Sequence, residues 1–187
     1  TIHMSKFYFS YIFYFISIVY IQAQNLDYSI LGLSKELTEN ANACIRNHEV
    51  LINITSQKSM TISTKRIVTV FNEYGQRHID ALESYDKSRK IVSIEAQIFN
   101  QMGTEIKKIK RKDFKDQSVA DGISIYTDTR MLFLDYTPTQ YPFTVVYTSV
   151  VETSNTAFIP SWYPIENYFL SVQNSEVKFT FPSNLGF

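Results

Sequence analysis

Cysteine, histidine and tryptophan are scarce in this chain, and so are glycine and proline. One Cys, three His, one Trp, five Gly and five Pro are spread over 187 residues. With Cys44 alone, no intrachain disulfide can form, so the fold has to rest on its core. Glycine and proline are too few for a collagen-like or low-complexity chain. The histidines, His3, His48 and His78, are scattered and do not form a convergent ligand set, so no metal or other cofactor is expected. Charge of either sign is not in excess: 18 Lys+Arg stand against 18 Asp+Glu. No global field therefore argues for nucleic acid or an anionic membrane as partner.

Aromatic residues, by contrast, are abundant, with 14 Phe and 13 Tyr. Some fall in an N-terminal segment with the order of a secretory signal. Met4 and Lys6 give a short basic start, residues 7–21 form an apolar run, and Ala23 offers a small residue at the cleavage position. The run is shorter than the roughly 20 residues of a spanning helix, which favours cleavage over anchoring. The expected division is a signal peptide at 4–23, a lead-in at 24–42 and a β domain at 43–187. The mature protein is expected to be exported, to the periplasm or beyond, with no stable membrane span.

Strand patterns dominate the rest. In 91–100, Val92, Ile94, Ala96 and Ile98 alternate with Ser93, Glu95 and Gln97, as a sheet with one wet face requires. Asn100 to Gly103 reads as a hairpin loop, with 105–109 as the return strand. Further strands are expected over 44–55, 59–72, 131–136 and 143–152. Phe143, Val145, Tyr147, Ser149 and Val151 share one face of the last of these. Segments 168–172 and 177–181 are expected to form a final pair. Ser34 can cap one or two helical turns, and residues 79–85 fit either a short helix or an extended crossing. Residues 110–121 read as a polar loop. Some eight strands with frequent turns argue for an all-β fold, an antiparallel β-sandwich with few short helices. The tail after Phe181 reads as a strand exit running into another element, so the chain is expected to be the front of a longer protein.

Candidate chemistry is sparse. Cys44 and His48 are four apart and would share a face of a regular strand. A thiol–imidazole pair generates a nucleophile. However, nothing around Cys44 would lower its pKa, so a core Cys44 and a surface His48 is the preferred reading. Asp113, Asp116 and Asp121 share a loop, but with only Gly122 nearby the spacing does not suit a calcium loop. The run KKIKRK at 107–112 is better explained as a lysine guard on a sheet edge than as a phosphate site. Asn53-Ile54-Thr55 is a glycosylation sequon by pattern.

Residues 153–172, TSNTAFIPSWYPIENYFLSV, hold the only tryptophan between two strand-like segments. Trp162, Tyr163 and Tyr168 could build an aromatic platform for a sugar or peptide. The preferred reading has Phe158, Ile159, Trp162 and Ile165 plug one end of the sandwich or dock a neighbouring domain, stiffened by Pro160 and Pro164.

Motifs at 105–110, 112–116, 126–130, 136–138 and 154–164 (SNTAFIPSWYP) stand in one order. Together they resemble the domain of unknown function that precedes transglutaminase-like domains in exported bacterial proteins. Residues 39–43 and 68–75 resemble its opening strands. The likeness runs from about Leu37 to the end, and SNTAFIPSWYP is its most specific piece. The resemblance implies a β-sandwich accessory module. In the family this is followed by a papain-like fold carrying a Cys-His-Asp triad, and none of those catalytic positions falls in this chain. The function expected is therefore non-catalytic: packing on, or positioning, a downstream transglutaminase- or protease-like domain as partner in cis. The alternative is a glycan- or peptide-binding module built on Trp162.

Overall fold

The computed structural model describes residues 28–119 and 128–185. The expected signal at 4–23 lies outside the described residues, as do Asp121 and Gly122. Ten strands are described: β1 (Ala43–Ser56), β2 (Ser59–Val70), β3 (Leu82–Tyr85), β4 (Arg89–Phe99), β5 (Glu105–Lys110), β6 (Lys115–Ser118), β7 (Arg130–Phe133), β8 (Phe143–Thr153), β9 (Leu170–Val172) and β10 (Ser175–Thr180). One short helix, α1 (Lys35–Thr38), follows Ser34 as expected, although the Ser34 side chain makes no capping bond.

The strands form two sheets. The larger runs β10-β1-β2-β8-β4-β5, with β9 also on β1, and the smaller runs β3-β7-β6. All pairings are antiparallel except those of β9 and β10 with β1. The architecture is mostly β and mostly antiparallel, as the sequence predicts.

Cross-strand partners share a sheet face, so the register sorts the side chains. One face of the large sheet carries Ile45, Val68, Val145 and Ile98 in one row, and Ile52, Ile62, Val151 and Ile91 in another. The small sheet and its flanks cover this inner face through Leu132, Ala81 and Phe114, which join those residues in the main core. Ile52, Ile54, Met60 and Ile62 form a second cluster at the β1–β2 turn, packed against Val177 and Leu185.

Between these apolar ends lies a polar belt. The row His48, Arg66, Tyr147, Ala96 crosses the sheet, and Val50, Thr64, Ser149, Ile94 lies beside it.

Several expectations need correction. Segments 168–172 and 177–181 do not pair with each other. β9 and β10 both lie parallel along one edge of β1, separated by a break at Gln173 and Asn174. That break sits opposite the bulge between Ile45 and Asn47 in β1, so the two irregularities accommodate one another. Val92 is 47% exposed rather than inward, because a register shift between Ile91 and Ser93 turns it out while keeping both Ile91 and Ile94 in. The 110–121 loop contains β6, whose Asp116 accepts from Tyr85 Oη (2.7 Å) and Arg130 Nε (3.0 Å). Asp113 caps the preceding turn by accepting from Lys110 N (3.2 Å). Residues 79–85 are extended in their second half, as β3.

The parallel pairing explains the long connection that follows β8. β8 runs parallel to β1, because each is antiparallel to β2. To add β9 and β10 parallel to β1, the chain must return the length of the sheet. Parallel pairs require such a crossover, commonly a helix; here residues 154–169 serve, without regular structure.

Candidate functional site

The crossover is fastened over the polar belt. Near its start, Thr156 Oγ1 donates to Gln57 O (2.7 Å) in the β1–β2 turn. In its middle, Trp162 Nε1 donates to Ser175 Oγ (3.1 Å). Towards its end, Glu166 reaches the sheet floor. Both its carboxylate oxygens accept from Arg66, from Nη1 and Nη2, each at 2.7 Å. Arg66 is only 2% exposed. Its Nη2 also donates to His78 O (3.2 Å), and its Nη1 lies 3.2 Å from His48 Nδ1. The same His48 Nδ1 lies 3.4 Å from Glu166 Oε1, to which it donates when it carries the ring proton. Burial opposes ionisation of Glu166, but hydrogen bonds from His48 and Arg66 and the guanidinium charge outweigh it and hold the carboxyl down at about 2.

A cavity of about 340 Å³ lies between the belt and the crossover. Arg66 and Tyr147 belong to its floor, Val50, Ile52, Ile62 and Val177 to its apolar walls, and Trp162, Tyr163 and Glu166 to its roof. Asp80, Leu82, Glu83 and Arg89 complete the side next to β3. Glu83 is buried and satisfied: Arg89 Nη2 donates to one oxygen (2.8 Å) and Ser149 Oγ to the other (2.7 Å). Tyr147 Oη donates to Leu82 O (3.0 Å). Burial, reinforced by the Glu83 charge, pushes the Tyr147 phenol far above its ordinary value. Phenolate chemistry is therefore closed to Tyr147 near neutrality.

Of the aromatic residues singled out in the sequence, Trp162 and Tyr163 line this cavity and Tyr168 does not. Tyr168 is 86% exposed. Phe158 and Ile165, expected as part of a plug, are 76% and 77% exposed. The crossover does cover the inner face, but through Pro160, Ser161 and Trp162, and it leaves Phe158, Ile165, Tyr168 and Phe169 outward.

Cys44 and His48 do not share a face. Cys44 pairs with Thr69 and His48 with Arg66, and Thr69 and Arg66 are three apart on a regular strand. The β1 bulge inserts the extra residue that separates them. Cys44 is fully buried, as expected, and burial raises its thiol pKa despite a hydrogen bond with Ser171 and the nearby Arg46 charge. His48 is not at the surface but part of the cavity. The first four residues of the basic run fall on β5, the last strand of the large sheet, and Arg111 and Lys112 fall in the 3-10 turn after it. Lys108 pairs with Glu95 (3.0 Å), and Lys107 lies over the Tyr136 ring (5.6 Å). Among the described residues no three or more His, Cys, Asp or Glu converge on a possible metal position. No helix among them is long and apolar enough to cross a membrane.

Arg66, Glu166, Asp80 and Glu83 are not among the residues the sequence singles out. One signal was available: Ile62, Thr64, Arg66, Val68 and Val70 share one period-two face, so Arg66 interrupts an apolar row and needs a buried partner.

This is a two-sheeted, mostly-β domain with a polar cavity under a long crossover. The family model for a domain of unknown function, DUF3857, matches residues 56–187, and the chain belongs to that family. No curated protein sequence matches. Among solved structures, a protein from Parabacteroides distasonis described as a putative protease is similar with a TM-score of 0.59 at 14% identity. The match covers 76% of this chain and 29% of that one. It shows a shared fold, and the chain spans under a third of that protein's length. An M1 zinc metallopeptidase from Deinococcus radiodurans (6% identity, 61% of this chain, 21% of that chain) and yeast LTA4 hydrolase (9%, 64%, 17%) each match with a TM-score of only 0.28.

Proposed function

We propose that this chain is a non-catalytic, exported accessory domain that packs on, or positions, a transglutaminase- or protease-like domain encoded after it. The observation that carries this reading is the outward face of the crossover. Phe158, Ile165, Tyr168 and Phe169 are exposed within twelve residues of chain. Apolar exposure of that density marks an interaction surface. Family membership and the fold shared with part of a longer protein support the same reading. A buried, protonated Cys44 on the face opposite His48 supports a role without nucleophilic chemistry in this chain. Export rests on the order of the N-terminal segment, a basic start, an apolar run and then Ala23.

The test is to read the frame past codon 187 and express the segment it encodes under a separate tag. Association with this chain is expected, and it should be lost in the double variant Phe158→Asp, Ile165→Asp. A frame that stops at once, or a segment that does not bind, overturns the reading.

A second reading, a module that binds peptide or glycan, is favoured by one observation: Trp162 and Tyr163 line a cavity that also presents charged groups.

A further inference from the structure

We propose that the cavity under the crossover is a subsite for one basic side chain of a polypeptide, lysine in particular. The proposal rests on the second reading above and names its ligand.

Three carboxylates line the cavity, Asp80, Glu83 and Glu166, against two guanidiniums, Arg66 and Arg89. Glu166 is matched by Arg66 and Glu83 by Arg89. The Asp80 carboxylate has no hydrogen bond or ion pair among the described residues. One negative charge is therefore left facing the space. A ligand carboxylate would meet Asp80 and find the Arg66 fork already occupied bidentately by Glu166. An anion is disfavoured, and the exposed Asp80 carboxylate, hydrated when the space is empty, adds attraction for a cation that it does not add for a neutral ligand.

The walls fit the rest of a lysine. Val50, Ile52, Ile62 and Val177 supply aliphatic surface for a four-carbon stem, which long basic side chains bury readily. Trp162 and Tyr163 also line the space, and aromatic rings attract an ammonium held over them. About 340 Å³ is at the small end for ligand pockets and suits one side chain rather than a folded segment. Trp162 is held in place through Ser175, so this wall is set before any ligand arrives.

Trp162 is the only tryptophan, so its fluorescence reports on the cavity wall directly. The purified full chain is titrated with acetyl-Gly-Lys-Gly-amide, with its norleucine and glutamate counterparts, and with cellobiose. The lysine peptide is expected to shift Trp162 emission saturably, and the other probes to bind at least about tenfold more weakly, the loss expected for one charge-assisted contact. Asp80→Asn should weaken lysine-peptide binding by a similar factor. Asp80 has φ 50°, a conformation that Asn also tolerates, and an unchanged thermal midpoint would show that this variant folds. If norleucine or glutamate binds as well as lysine, or if Asp80→Asn binds unchanged, the basic subsite is overturned while the cavity remains a peptide site. A response to cellobiose alone overturns it in favour of a glycan. If no probe perturbs Trp162, the second reading fails with it.

Discussion

At the scale of single residues, the most consequential contact joins Arg66 to Glu166. The guanidinium is buried, and its carboxylate partner arrives on a segment without regular structure, 100 residues further along the chain. Removing one partner of such a pair leaves a buried charge uncompensated, which is costly, whereas replacing both is often tolerated. Glu166→Gln should therefore destabilise the protein by about 3 kcal/mol, read as a lower urea midpoint. The double variant Arg66→Met, Glu166→Leu should recover much of the loss. The effect has a defined pH window. The folded-state pKa of Glu166 is depressed from 4.5 to about 2. Its stabilising contribution is complete above the ordinary value and is lost as pH falls through the folded one. The gap between wild type and Glu166→Gln should be constant above about pH 4.5 and close by about pH 2. A gap that persists at pH 2 would show that the ion pair is not its source.

At the scale of elements, close approach between segments sets the strictest demands. The 3-10 turn Glu73–His78 lies against Asn42, and a Cβ on Gly75 would come within 2.1 Å of the Asn42 carbonyl oxygen. Asn42 has little room to yield. Its carbonyl accepts from Phe71 N (2.9 Å), its amide donates to Phe169 O (2.7 Å), and its side chain accepts from Asn72 Nδ2 (2.9 Å). Gly75→Ala should cost about 2–3 kcal/mol, as overpacking against fixed backbone does. A loss below about 0.5 kcal/mol, the range of ordinary surface changes, would mean that the turn is free to move away. Elements of this chain differ in how far the sequence reveals them. β4 and β8 are legible because period-two alternation is local: Ala96 and Ile98 point inward as read, and so do Phe143, Val145, Tyr147, Ser149 and Val151. What interrupts the period is not local. The shifts at Ile45/Asn47 and Ile91/Ser93 reverse a face, and neither leaves a composition signal, so Val92 and His48 are misplaced by pattern alone. The direction in which β10 joins β1 depends on the route of the crossover, which no local feature encodes. The same holds for the site. Trp162 and Tyr163 stand out as residue types, whereas the Arg66–Glu166 pair exists only once the crossover has returned over the sheet.

At the scale of the molecule, the inner and outer faces of the crossover make opposite demands. Inward, it closes the polar belt with one ion pair and one tryptophan. Outward, Phe158, Ile165, Tyr168 and Phe169 face solvent, and Phe179 and Phe181 are also exposed near the end of the described chain. If these side chains served only to cover the sandwich, they would be buried in it, and polar replacements would destabilise the fold. Since they are exposed, their loss should leave stability almost unchanged and alter association instead. The chain on its own should self-associate with rising concentration, seen as a growing weight-average mass by light scattering on size-exclusion chromatography. Phe158→Ser together with Ile165→Ser should return it towards the mass of the monomer, with a urea free energy within about 0.5 kcal/mol of wild type. A loss of 2 kcal/mol or more with unchanged mass would identify the pair as covering residues and remove the argument for a docking face. An unchanged free energy with a lower mass would leave a surface whose apolar area has to be satisfied by another polypeptide.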